Sequence, residues 1–353
     1  MQLLETIEIR GSHPGRIELS QGDLTDLSST ERADLLLVSA FPDDYEPTPG
    51  SLIGALHGKG LSVKKLARHK DIDLRTTYSC WLSRKLKRPM SGLAYRRIFC
   101  FEPRERGRPP EVVGDIFRAL TPILAVRPKI RSLVMPIVAA GDRGYGIREM
   151  LEPLLEAAIH WLEIGLPLER LTIVAHQDAH AEEARQVFRA MKVKYEMPST
   201  ASAPAGFDYD VFISYAHANT AEREALEAAL QAARPGIRVF VDRHEIEIGV
   251  SWQLKIFESL ERSRKVVALL SPEYLASKAC KEEFGIAWIR GNRIGKDLLF
   301  PLYVHTAGLP AYMAYWNYLD CRDGDQSRLA EASQRLLEAL DREGPAPQKA
   351  DVV

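Results

Sequence analysis

Three short apolar runs in the second half of this 353-residue chain each break off into side chains that could hold a ligand. Val211-Phe212-Ile213 leads into Ser214, Tyr215, Ala216 and His217; Val239-Phe240-Val241 into Asp242 and Arg243; Leu269-Leu270 into Ser271, Pro272, Glu273, Tyr274 and Leu275. Continuous Val/Ile/Leu/Phe runs read as strands buried on both faces, and in an open α/β sheet ligands gather just beyond the carboxyl ends of such strands. The polar endings therefore outline one candidate site. Downstream, Glu282 and Glu283 stand in a segment, Ser277 to Ala287, that reads as a helix start. One position apart on a helix they point about 100° from each other, so only one can face a cleft. No serine-histidine-aspartate arrangement is suggested, and the histidine spacing gives no metal site.

The elements that must position these residues follow from the hydrophobic pattern. Strands are predicted at Val211 to Ser214, Val239 to Val241, Val266 to Leu270 and Leu298 to Leu302. Between them lie helical patterns from about Ala221 to Ala233 and from about Trp252 to Glu261, the latter with Leu254, Phe257 and Leu260 on one face. An amphipathic helix over Ser327 to Leu340 closes the series. Strand and helix alternating through short connections implies a mainly parallel sheet with helices on both faces. The first half alternates in the same way. Its strand candidates are Arg16 to Leu19, Leu35 to Ser39, Arg97 to Phe101, Ser132 to Val138 and Leu171 to His176, and its helix candidates are Asp115 to Ala125 and Ile147 to Glu163.

Between the halves, Met197 to Gly206 is small and Pro-punctuated, a linker composition, and the last residues from Glu343 read as a frayed tail. The expected organisation is a domain over 1–195, a linker over 196–206, a second domain over 207–342 and a flexible tail over 343–353. The architecture is two tandem α/β domains. A hydrophobic share of 46% fits globular material, and 47 Lys plus Arg against 48 Asp plus Glu leaves no basic excess to attract nucleic acid or an anionic membrane. No apolar run reaches the ~18 to 20 residues needed to cross a bilayer, and Met1 to Arg10 lack the apolar core of a signal peptide. Cys80, Cys100, Cys280 and Cys321 are scattered, without a Cys-x-x-Cys pair, as free thiols in a reducing cytoplasm would be.

The order and wording of the runs from about Phe207 to Glu343 resemble a TIR domain, a flavodoxin-like parallel sheet. Aligning Cys280 with the cysteine of the family segment places the family's catalytic glutamate on Glu283. The resemblance implies NAD+ as a substrate rather than a cofactor, cleaved between nicotinamide and ribose. That cleavage builds positive charge on the sugar, and a fixed anion beneath the ring stabilises it more in the transition state than in the ground state. Nicotinamide leaves from an already cationic ring, so no general acid is required. The segment Asp242 to Trp252 matches the family's BB loop, in which Gly249 permits a turn and Ser251 resembles an N-cap. By the same resemblance Ser214, Tyr215, His217, Asp242, Gly249, Ser251 and Trp252 contact the substrate, and the loop also packs into a neighbouring protomer. One departure stands out: many active members carry tryptophan four residues before the glutamate, and here that position is Ala279. Trp252 is the nearest aromatic that could compensate.

In the first half, Ile17 to Thr25, Ala33 to Ala40 and Met135 to Gly146 resemble the landmarks of a macro domain. A Gly-rich loop between strand and helix is a weak signal by itself, since turns collect glycine. The resemblance implies a mixed sheet binding an ADP-ribose-like ligand, with Asp23 accepting from the adenine amino group. Gly141, Gly144, Tyr145 and Gly146 would then let the backbone approach the diphosphate before a helix start. Where hydrolytic members carry asparagine this chain has Phe41, and Asp43 to Gly50 replaces their glycine-rich loop, which implies binding rather than hydrolysis.

Two functions follow. The first is an NAD+ hydrolase or ADP-ribosyl cyclase acting through Glu283, assembled through TIR contacts and regulated by the nucleotide-sensing first domain, as in the bacterial antiviral effectors this domain order resembles. The second is a TIR scaffold without turnover. Neither needs a metal, nucleic acid or membrane.

Overall fold

The computed structural model describes residues 1–10, 14–86, 93–103, 109–138, 145–176, 178–196, 207–241, 259–294, 297–310, 313, 317–322 and 325–342. The chain divides into two compact units, Met1–Pro198 and Ser199–Val353. Beyond Glu196 the expected linker lies outside the described residues, as does the expected tail.

The first unit is built on an eight-stranded sheet: β1 Gln2–Ile9, β2 Gly15–Gln21, β3 Ala33–Ser39, β4 Lys70–Leu74, β5 Cys80–Ser83, β6 Tyr95–Phe101, β7 Ser132–Pro136 and β8 Arg170–Ala175. Their spatial order is β1-β2-β8-β7-β3-β6-β5-β4. The five central strands β2, β8, β7, β3 and β6 run parallel, whereas β1 at one edge and β5 and β4 at the other are antiparallel. The mixed sheet expected from the sequence is thus present. Parallel strands must be covered on both faces, and Leu35, Leu36, Leu37 and Val38 of β3 are all fully buried.

Strands β1, β4 and β5 and helices Leu52–Gly58, Val63–Ala67, Arg75–Tyr78 and Asp178–Glu196 of this unit escape the periodicity reading, three of them for a visible reason. Strand β1 is an edge strand rich in polar side chains, and β5 has only four residues. Helix Asp178–Glu196 is mostly polar and buries a narrow stripe, Ala181, Ala184, Val187, Phe188 and Met191. The expected helix at Asp115 to Ala125 runs from Pro109 to Val126, and that at Ile147 to Glu163 ends at Ile164, where Gly165 caps it in the left-handed region at φ 110°.

The second unit holds β9 Tyr209–Ser214, β10 Val239–Val241, β11 Ser263–Leu270, β12 Leu299–Tyr303 and β13 Leu319–Asp320, in the order β10-β9-β11-β12-β13 and all parallel. The order is that of a flavodoxin-like sheet, and it reverses between β9 and β11. Connections leave such a switch point toward opposite faces, so a crevice opens at its carboxyl end. Helix Thr220–Ala233 contributes Leu226 and Leu230, and helix Gln326–Arg342 contributes Leu329, Leu336 and Leu340, to a core shared with Val211, Ile213, Val267, Leu269 and Leu302. The helix expected from Trp252 to Glu261 falls mostly outside the described residues; 259–261 are helical.

The strand start is pinned electrostatically. The Asp210 carboxylate accepts from the Arg238 backbone N–H at 3.0 Å and from its guanidinium at 3.0 and 3.2 Å, with Arg264 at 3.5 Å. Burial by itself raises the Asp210 carboxyl, but these bonds and charges outweigh it and hold it below its ordinary 3.8.

Candidate active site

At the β9 end of the switch point, a cleft of about 230 Å³ is walled by Tyr215, Ala216 and His217 on one side and by Ser277, Ala279, Cys280 and Glu283 on the other. The first wall follows β9 directly. The second is the opening of helix Lys278–Ile294, which the chain reaches from β11 through helix Pro272–Ala276. Ser271 caps that short helix by accepting from the Tyr274 N–H at 2.9 Å, and its own hydroxyl donates to Asn219 Oδ1 at 2.7 Å. The cap ties the β11 end to the turn after β9.

Glu283 is 5% exposed, and at least part of that exposure is to the cleft. Its Oε2 accepts a short hydrogen bond from the Ser214 hydroxyl, and the same hydroxyl lies 2.8 Å from the Tyr274 hydroxyl. A buried carboxylate is costly unless hydrogen-bonded, and a hydroxyl that fixes one oxygen orients the group. Glu282 is half-buried beside it and does not line the cleft, as the helical offset requires. Ser214 is 1% exposed, so the structure places it behind Glu283 instead of on the cleft wall. Tyr215 is half-buried and its ring lies under the Arg223 guanidinium at 5.5 Å; His217 is exposed, with its ring 6.2 Å from that of Tyr215. Ala279 is half-buried and lines the cleft with a methyl group.

Asp242, Gly249, Ser251 and Trp252 lie outside the described residues. Asn219 was not singled out from the sequence; Tyr274 was named there at the end of the third apolar run but not among the substrate contacts. Tyr274 sits in the Ser-Pro-Glu-Tyr-Leu turn after a strand, where the strand-end rule that marked Ser214 also placed it.

In the first unit, Asp23 is exposed just past β2 and accepts the Thr25 N–H at 2.7 Å and the Thr25 hydroxyl at 2.8 Å, both on Oδ1. Burial opposes its ionisation, but the two Thr25 bonds, with the charges of His176 and Lys59, hold the carboxyl below its ordinary value. Gly22 before it has φ +156°, and a Cβ there would meet Met1 Cγ at 2.9 Å. Tyr145 is 37% exposed and Gly146 is the N-cap of helix Ile147–Ile164, with open space where a Cβ would stand. Gly141 and Gly144 lie outside the described residues. Phe41 is 50% exposed, and just beyond it Tyr45 donates its hydroxyl to the buried Glu102, which Trp81 Nε1 also reaches. Glu102 follows the apolar run of β6 and was legible by the same strand-end rule.

Among the described residues no group of three or more His, Cys, Asp or Glu could hold a metal, and no helix is long and apolar enough to cross a membrane. All four cysteines are buried free thiols.

Residues 211–337 match the family model of the TIR domain. A curated relative from Brachypodium distachyon, the probable 2′ cyclic ADP-D-ribose synthase BdTIR, is 26% identical over 126 residues, 35% of this chain and 56% of that protein. The chain thus spans little more than half the length of that relative. Among solved structures, the Oceanobacillus iheyensis macrodomain with ADP covers 54% of this chain and 98% of its own, at 16% identity and a TM-score of 0.41. The TIR domain of a Toll-related receptor from Hydra magnipapillata covers 37% and 98%, at 20% identity and a TM-score of 0.30. Over residues 211–337 the chain carries a TIR domain, preceded by a mixed α/β unit whose neighbours among solved structures are macrodomains.

Proposed function

We propose that the chain cleaves the bond between nicotinamide and ribose in NAD+, in the cleft walled by Glu283. The observation that carries this reading is a buried carboxylate, oriented by Ser214, facing a cleft at the switch point of a parallel sheet. The TIR match and the relative described as a probable cyclic ADP-ribose synthase support it. As the bond breaks, its electron pair leaves with neutral nicotinamide and the sugar becomes cation-like. The Glu283 anion stabilises that charge without moving a proton. Water then attacks the sugar carbon and loses a proton to give ADP-ribose, or a hydroxyl of the same molecule attacks to give a cyclic product.

The test is nicotinamide release by the purified full chain, with Glu283→Gln alongside and a thermal melt to establish that the variant folds. Turnover by the parent and none by a folded variant is the expected result. A folded, assembled parent that releases no nicotinamide leaves the scaffold reading, which the methyl-only wall at Ala279 favours. The Asp23 position supports a second binding role, for an ADP-ribose-like ligand at the carboxyl end of the first sheet, regulating the TIR domain. Calorimetry with ADP-ribose on the full chain and on Asp23→Ala tests it; heat that is equal in both, or absent from both, removes that role for Asp23. The same reading takes the protein as a cytoplasmic antiviral effector of bacteria. Phage challenge of cells expressing the parent or Glu283→Gln checks it, and equal plaque counts would count against it.

A further inference from the structure

At the opposite end of the first sheet from Asp23, a recess of about 360 Å³ is lined by Arg32, Arg96, Arg131 and Arg170, with Arg16 beside them. These residues stand at or next to the amino-terminal starts of β3, β6, β7, β8 and β2, which are neighbours in the sheet. We propose that this recess binds a compact phosphate-bearing anion.

Charge is the first argument. Five guanidinium groups line the recess against two carboxylates, Asp34 and Glu169, an excess of three positive charges in a chain whose overall charge is −1. Arg16 and Arg170 face each other in register on adjacent strands; Arg16 Nε donates to Glu18 Oε1 at 2.6 Å, which relieves part of that repulsion, so the charge left for an anion is carried mainly by Arg32, Arg96, Arg131 and Arg170.

The two acids do little to relieve it. Asp34 spends its Oδ2 on the Arg131 and Ser132 backbone N–H groups, at 2.9 and 3.2 Å, and on the Ser132 hydroxyl at 3.1 Å. Its remaining oxygen meets Arg96 at 3.4 Å. Glu169 is 70% exposed and stands 3.7 Å from Arg131. Arg170 donates to the Arg32 carbonyl, and the Arg32 guanidinium makes no hydrogen bond or ion pair among the described residues.

Most of the N–H donors around the recess are therefore available, and the planar fork of a guanidinium matches a phosphoryl group two oxygens at a time. Size and the two acids at the wall favour a short oligophosphate over a continuous nucleic-acid backbone. The site is separate from the proposed NAD+ cleavage, which involves the other unit.

Calorimetry of the full chain with inorganic tripolyphosphate tests the proposal, beside Arg32→Ala, Arg96→Ala and Asp23→Ala. Arg32 and Arg96 are exposed, so their truncation leaves the core intact. The expected result is binding that weakens by about tenfold or more in each arginine variant, is unchanged in Asp23→Ala and falls with added salt. A nucleoside triphosphate binding tighter than tripolyphosphate, with the same arginine dependence, identifies a nucleotide as the source of the phosphates. No heat with tripolyphosphate overturns the proposal, as does affinity unchanged in both arginine variants. Binding of a single-stranded oligonucleotide without binding of tripolyphosphate overturns it in favour of nucleic acid.

Discussion

The chemistry proposed for this chain rests on one oxygen pair, and its behaviour depends on who holds it. Glu283 is buried but not sealed: one oxygen takes the Ser214 hydroxyl while the side chain still reaches the cleft. Loss of the charge in Glu283→Gln should lower kcat for NAD+ cleavage by about a hundredfold or more, the scale seen when one transition-state stabiliser is removed. In the proposed reaction Ser214 acts through Glu283 as a positioning residue. Ser214→Ala should lower kcat about tenfold with a smaller change in KM, and Ser214→Thr, which keeps the hydroxyl, should recover part of the loss. If alanine and threonine variants fall equally, the hydroxyl is packing and not orientation. Both measurements need only steady-state nicotinamide release.

Elements hold the cleft open through the sheet beneath it, and two of their anchors can be tested separately. Because Asp210 is held below its ordinary value of 3.8 in the folded chain, it adds stability that is fully present above that unfolded value and is lost as pH falls through the folded value. The parent should therefore lose melting temperature more steeply than Asp210→Asn between about pH 5 and pH 2, while at neutral pH the variant is weaker by roughly 1 to 2 kcal/mol. Parallel melting curves across that range would show that the pair with Arg238 carries no linkage. The second anchor is apolar. Leu336 is fully buried between helix Gln326–Arg342 and the sheet, so Leu336→Ala should cost about 2 to 5 kcal/mol in denaturant unfolding of the second unit.

At the scale of the molecule, the part of the cleft formed by the described residues is small for a dinucleotide. At about 230 Å³ it falls below the ~300 to 1,000 Å³ of ordinary small-molecule sites. Under the proposed function, a neighbouring copy bound through the TIR domain would add a wall beside Ala279. Nicotinamide release per mole of protein should then rise with protein concentration and saturate once assembly is complete. A specific activity constant over a hundredfold dilution series would mean that a single chain suffices.

How much of this was legible in the residues varies with the kind of signal. Buried parallel strands announce themselves as unbroken apolar runs, so β9 and β11, with the half-buried β10 beside them, and the polar side chains at their ends could be read directly, together with the TIR resemblance. Glu283 and Glu282 were equivalent as letters apart from that resemblance; their different burial came from which face of helix Lys278–Ile294 packs on the sheet. Edge strand β1 and helix Asp178–Glu196 left weak signals because a half-exposed element needs few apolar positions, and β5, though buried, is only four residues long. The Arg recess left none, since Arg16, Arg32, Arg96, Arg131 and Arg170 are spread over more than 150 positions of sequence. Composition and local pattern determined the strands, the domain class and the residues able to do chemistry. Only the tertiary structure decided which of them meet, because the crossing connections of a parallel sheet bring together strand ends that are far apart along the chain.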